Sequence, residues 1–112
     1  MELVGVFTRR DPSTLTTAFE DTAVRPMDEL ESMAGEIDVL VLCGGSKSDL
    51  PEQTPQLAAR FTVVDSFDTH ARIPEHYAAV DAAAREAGTT ALISTGWDPG
   101  LFSINRDRKS VV

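Results

Sequence analysis

Four short apolar runs rich in β-branched residues constrain this chain more than any other feature. They are LVGVF (Leu3–Phe7), IDVLVLC (Ile37–Cys43), FTVVDS (Phe61–Ser66) and TALIS (Thr90–Ser94). Strands of a parallel sheet covered on both faces are apolar almost continuously, so these runs read as buried strands. A weaker run, Ala23–Arg25, suits a short edge strand that Pro26 ends.

Helical patterns fill the intervals. Asp28–Ala34 is a short helix followed by Gly35, and Leu50 to Arg60 is a second, with Pro51 in its first turn and Pro55 inside it. Pro74–Ala87 has the clearest period. Pro74 takes the first helical position, Tyr77, Val80, Ala84 and Ala87 fall on one face, and Gly88 follows. Strands alternating with helices lie parallel, joined by right-handed crossovers. The expectation is one doubly wound α/β domain, without repeats, low-complexity segments or linkers.

Totals set limits on partners. A chain of 112 residues holds one small domain with a single core. Its net charge of -8 argues against nucleic acid or an anionic membrane as partner. The single cysteine, Cys43, allows neither an intrachain disulfide nor a multi-cysteine metal site. No apolar run approaches the roughly 20 residues of a membrane span, and no signal-peptide pattern precedes the first strand, so the expected location is cytoplasmic.

In doubly wound sheets, ligands bind beyond the carboxyl ends of the strands. That rule selects Thr8–Asp11, Cys43–Ser48, Ser66–Arg72 and Ser94–Ser103. Thr8, Arg9 and Arg10 offer a hydroxyl and two guanidiniums, a set suited to the 2′-phosphate of NADP; the alternative is a solvated arginine pair. Gly44 and Gly45 allow close approach of a ligand, or simply make a strand-to-helix turn, and Cys43 reads as a small buried hydrophobe. Asp65, Asp68 and His70 suit amine or proton binding, or else turn formation and capping, and His76 reads as exposed on its helix. Trp97 and Asp98, between Gly96 and Pro99-Gly100, crowd special residues into one strand-end loop, which favours a binding role over a plain turn.

Together the segments VGVFTRR, DVLVLCGGSKSDLPEQTPQLA, VDSFDTHARIPEHYAAVDAAAREAG and ALISTGWDPGLFSINR resemble meso-diaminopimelate dehydrogenase in order and spacing, from about Glu2 to Arg106. The resemblance implies a partial Rossmann-like fold. It implies an NADP-dependent oxidoreductase that deaminates meso-2,6-diaminopimelate at its D-centre, with a homodimer in the full-length family but not for this chain. It assigns Thr8, Arg9 and Arg10 to the 2′-phosphate. Cys43, Gly44, Gly45, Ser46, His70, Thr95, Gly96, Pro99 and Gly100 fall to the cofactor site. Asp68 and Asp98 are the catalytic pair that holds the substrate amine, with Trp97 as an aromatic wall. Phe102 and Ser103 lie just behind this loop. Thr8 stands where the family usually has serine and keeps the hydroxyl.

Two departures accompany the resemblance. No G-x-G-x-x-G fingerprint is present, so the first run corresponds to the family's second strand, and Met1 reads as an internal methionine. In the 3-2-1-4-5-6 strand order, the strand lacking here would lie between the runs at Leu3–Phe7 and Ile37–Cys43, which are expected to pair abnormally or stay apart. The chain alone is therefore expected to be marginally stable and inactive. The second departure is the ending, DRKSVV at Asp107–Val112, which matches a translated sequencing adapter (GAT CGG AAG AGC GTC GTG) and reads as a non-native tail on a domain ending at Arg106. Two other readings remain: a non-catalytic nucleotide-binding module, and an NADP-dependent dehydrogenase of another amino or hydroxy acid.

Overall fold

A computed structural model of the chain describes residues 2–17 and 22–110, with side chains through Asn105. The apolar runs form strands β1 (Val6–Thr8), β3 (Leu40–Leu42), β4 (Val63–Asp65) and β5 (Ala91–Leu92), and the weak run forms β2 (Val24–Pro26). The helices are α1 (Leu50–Ala58), α2 (Ile73–Ala87) and α3 (Leu101–Ser110). Residues 107–110 thus continue the backbone of α3, and Val111 and Val112 lie outside the described residues.

The strands make two parallel sheets and not one. β1 pairs with β2 through Val6–Val24 and Phe7–Arg25, whereas the other sheet has the order β3-β4-β5. The chain divides correspondingly into a unit spanning Met1–Asp38 and a unit spanning Val39–Val112.

The first unit holds β1, β2 and short 3-10 turns. The region expected as one helix from Asp28 to Ala34 is instead two such turns, Met27–Glu29 and Glu31–Met33. Their i→i+3 bonds, Leu30 N–H to Met27 and Ala34 N–H to Glu31, replace the α-helical pattern. Seven residues ending at a glycine give an α-helix little cooperative length.

The second unit is built by crossovers. α1 connects β3 to β4 and α2 connects β4 to β5; the helices pack on each other, α1 on β4 and α2 on β5. Val63 and Asp65 are buried on the helix side of β4, as is Leu42 on β3. Leu50, Ala58, Phe61, Phe67, Val80 and Ala84 complete this core. Pro51 sits in the first turn of α1, where its missing N–H costs no helical bond, and Pro55 lies inside the same helix. Gly88 caps α2 with its amide on the Ala84 carbonyl.

Sheet coverage differs from the sequence expectation. Val41, Val64 and Leu92 are in register across the opposite face, and Val41 is 65% and Leu92 56% exposed. Continuous apolarity implied two covered faces, but within this unit both crossover helices pack on one.

The stripe of α2 also differs. His76, Val80 and Ala84, spaced by four, are buried, whereas Tyr77 is exposed. A one-residue rotation of the face places His76 against the sheet, because Asp65 there supplies a partner for its ring nitrogen.

Candidate functional site

The carboxyl ends of β3, β4 and β5 present three turns in the second unit, each containing residues singled out above. The turn after β3 runs from Cys43 into α1. Gly45 N–H donates to the Asp49 carboxylate at 3.1 Å, and Asp49 and Leu50 N–H groups return to the Gly45 carbonyl, which closes the turn. A side chain at Gly44 would press its Cβ to 2.8 Å from that of Asp49, so glycine is required for this closure. Cys43 is exposed, contrary to the buried reading, because it follows the last paired residue of β3 and enters the turn.

The turn after β4 carries Asp68 and His70. Its backbone is tied to the first turn: Asp68 N–H donates to Ser46 Oγ at 2.9 Å. Asp68 and His70 point to solvent-accessible surroundings, and a 3-10 turn, His70–Arg72, leads directly into α2.

The turn after β5 runs from Ser94 to Gly100 and is closed by its own backbone. Gly96 N–H donates to the Pro99 carbonyl at 3.0 Å, Leu101 N–H to Gly96 and Phe102 N–H to Trp97. The Asp98–Pro99 bond is cis. Gly100 has φ of 140°, and a Cβ there would overlap the Gly96 carbonyl, so no other residue fits. Trp97 lies against Phe102 with ring centroids 5.7 Å apart and remains 62% exposed. Its indole therefore forms an open wall at the strand ends and contributes little to the core.

The last two turns meet. His70 Nε2 lies 3.7 Å from Asp98 Oδ1, and Ser103 Oγ lies 3.4 Å from the same oxygen. A Cβ at Gly96 would sit 3.8 Å from that of Ser66. The structure thus joins Ser46, Asp68, His70, Thr95, Gly96, Asp98 and Gly100 into one surface. His70, assigned by resemblance to the cofactor site, faces Asp98, which the resemblance assigns to the substrate amine.

Beneath these turns lies a network that sequence reasoning missed. Asp65, 1% exposed, ends β4. Its Oδ2 accepts from Thr54 Oγ1 of α1 and from His76 Nε2 of α2, both at 2.8 Å. Its Oδ1 accepts from Phe67 N–H at 3.1 Å and Ser94 N–H at 2.9 Å. The Phe67 ring stacks on the His76 imidazole at 4.0 Å. Burial alone would raise the Asp65 pKa. The opposing hydrogen bonds from His76, Ser94, Phe67 and Thr54 outweigh it and hold the carboxyl below its usual range. The signal was the i, i+4, i+8 spacing of His76, Val80 and Ala84, which places His76 on the packed face.

In the first unit, Thr8, Arg9 and Arg10 follow β1. Thr8 Oγ1 accepts from Arg10 N–H at 3.0 Å, which curls the turn and leaves the hydroxyl proton for another acceptor. Arg9 and Arg10 are exposed. A hydroxyl and two guanidiniums in one exposed turn form a donor set suited to a phosphate. Among the described residues, no cluster of three His, Cys, Asp or Glu side chains could hold a metal ion. No helix among them is long and apolar enough to cross a membrane.

No protein-family model matches the chain. Individual proteins do. The meso-diaminopimelate D-dehydrogenase of Lysinibacillus sphaericus is 58% identical over 106 residues, which is 95% of this chain and 32% of that protein. The enzyme of the same name from Corynebacterium glutamicum is 48% identical over the same length. The chain is a relative of the meso-diaminopimelate D-dehydrogenases. It spans about a third of the length of these meso-diaminopimelate D-dehydrogenases. Solved structures agree in fold. The C. glutamicum diaminopimelate dehydrogenase in complex with diaminopimelate superposes with a TM-score of 0.83 at 45% identity, over 96% of this chain and 32% of that one. An engineered D-amino acid dehydrogenase bound to NADP+ gives 0.85 at 44% identity, over 99% of this chain and 33% of that one. The α/β fold with parallel sheets is thus a partial Rossmann-like fold.

Proposed function

We propose that this chain carries the NADP-facing and amine-facing turns of a meso-diaminopimelate D-dehydrogenase. The observation that carries the proposal is the junction of the Asp68–His70 and Thr95–Gly100 turns at the strand ends, sealed by the 3.7 Å approach of His70 to Asp98. The Asp98 carboxylate lies at this junction and Asp68 lies in the turn that reaches it, in a chain 58% identical to a dehydrogenase of that name.

In this reading Thr8, Arg9 and Arg10 hold the 2′-phosphate of NADP through charge-assisted bonds. Cys43, Gly44, Gly45 and Ser46 form a turn along which the cofactor lies, with Thr95, Gly96, Pro99 and Gly100 opposite the same ligand. NADP+, when bound, supplies the hydride acceptor. Asp68 and Asp98 hold the ammonium group at the D-centre and receive its protons as the carbon–nitrogen bond becomes an imine. His70 belongs to the cofactor side of the site and approaches the Asp98 carboxylate to 3.7 Å. Trp97 gives the substrate carbon chain an apolar wall. The imine is then hydrolysed to ammonia and L-2-amino-6-oxopimelate, which cyclises to tetrahydrodipicolinate.

A hybrid tests the cofactor half of the proposal. Residues Glu2 to Arg106 replace the matching stretch of the Lysinibacillus sphaericus enzyme, and initial rates are measured with NADP+ and with NAD+. Arg9→Ala with Arg10→Ala should raise the KM for NADP+ by about 10-fold or more, the equivalent of one or two lost charged hydrogen bonds, and leave that for NAD+ within about twofold. Equal changes for both cofactors would remove these arginines from the 2′-phosphate site.

A further inference from the structure

The two turns that carry Asp68 and Asp98 share one buried anchor, and that anchor is outside the set of residues assigned to the ligands. Each oxygen of the Asp65 carboxylate has a separate task. Oδ2 is gripped by the helices, through Thr54 of α1 and His76 of α2. Oδ1 grips the turns, through Phe67 N–H at the root of the Asp68 turn and Ser94 N–H at the root of the Asp98 turn. The backbone carbonyl of Asp65 adds Thr95 N–H at 3.0 Å and Thr95 Oγ1 at 2.8 Å.

The bond to Ser94 is made at the place where the chain most needs one. Ser94 has φ of 58°, a left-handed conformation that a non-glycine residue adopts only when its surroundings hold it. Ser94 lies at the root of the loop that carries Trp97 and Asp98, and Thr95 after it still donates to the Asp65 carbonyl. Four donors fill the acceptor capacity of the carboxylate, so its orientation is fixed within the core.

We propose that Asp65 is a positioning residue for the amine-binding pair. Held by Thr54 and His76, it sets the separation of the Asp68 and Asp98 turns. The functional meaning of this role rests on the assignment of Asp68 and Asp98 to the substrate amine; the geometry does not. A core residue would stabilise the unit as a whole. A positioning residue stabilises two particular turns beyond the rest.

Amide hydrogen exchange on the 112-residue chain separates these roles, followed by NMR without any ligand. Asp65→Ala removes the carboxylate. The amides of Phe67, Ser94 and Thr95 should lose protection at least tenfold more than those of Val80 and Ala84 in α2. Asp65→Asn is the conservative rescue. Its amide oxygen can accept from the turns while its NH2 donates to Thr54 and His76, so protection of the turns should return to within about threefold of the original. Thr54→Val covers the case in which Asp65→Ala fails to fold, because it touches no atom of either turn. It should still lower protection at Phe67 and Ser94 severalfold more than in α2. Uniform loss across turns and α2, or unchanged turns in Thr54→Val, would overturn the proposal. No substrate or cofactor enters this experiment, so its failure is distinct from failure of the proposed activity, which the hybrid enzyme reads.

Discussion

Thr54→Val isolates one bond in the Asp65 network with little change of shape. Thr54 is fully buried, and its hydroxyl donates to Asp65 Oδ2 at 2.8 Å. A hydrogen bond to a charged acceptor contributes about 1.5–3 kcal/mol, and the added buried methyl returns about 0.8 kcal/mol. The net loss is about 1–2 kcal/mol, a downward shift of about 0.5–1 M in the urea midpoint for a domain of this size. The penalty must also depend on pH. Asp65 has its pKa depressed in the folded chain, below the ordinary 3.8. A depressed carboxyl contributes stability in full above its unfolded pKa and loses it as pH falls through the folded value. Thr54→Val weakens that depression, so the two proteins differ most near neutrality, and the difference shrinks only as pH falls through the depressed folded value. Urea titrations followed by circular dichroism at several pH values between 7 and 3 measure this. A penalty under about 0.3 kcal/mol at pH 7, or one that grows as pH falls, would refute the assignment of Thr54 to an ionised Asp65.

Gly100→Ala should cost more than the roughly 1–3 kcal/mol typical of a strained backbone residue, because its Cβ would also overlap the Gly96 carbonyl. Urea titration measures the loss, and unchanged stability would contradict the closed turn. Val41→Lys, on the open sheet face, should alter stability by less than about 0.5 kcal/mol in urea titration. A loss of several kcal/mol would show that this face is covered in solution.

The α/β alternation, the strand-end turns and the strongest helix were legible because hydrophobic period and glycine–proline punctuation are local signals. Gly88 after α2 and Pro51 at the start of α1 sit where their chemistry requires. Coverage of the sheet was not legible. Apolar residues at Val41 and Leu92 record a preference for burial, and the crossover helices of this unit lie on the other side. Asp28–Ala34 has helix-forming residues but too few of them for α-helical cooperativity, and it settles into 3-10 turns. Within the candidate site, residue types marked the turns and the resemblance assigned their roles, whereas the contacts of Asp65 with His76 are made across the fold. Eleven positions separate Asp65 from both Thr54 and His76, and only the packing of α1 against α2 brings all three together.

The most direct test of the account is turnover by the hybrid enzyme containing residues Glu2 to Arg106, measured as NADPH formed from meso-diaminopimelate. The account predicts NADP-dependent oxidation of this substrate, cut by about 100-fold or more in Asp68→Asn and in Asp98→Asn, as expected for paired groups that bind and deprotonate the reacting amine. A folded hybrid without this activity, or one in which both variants retain full turnover, would contradict it.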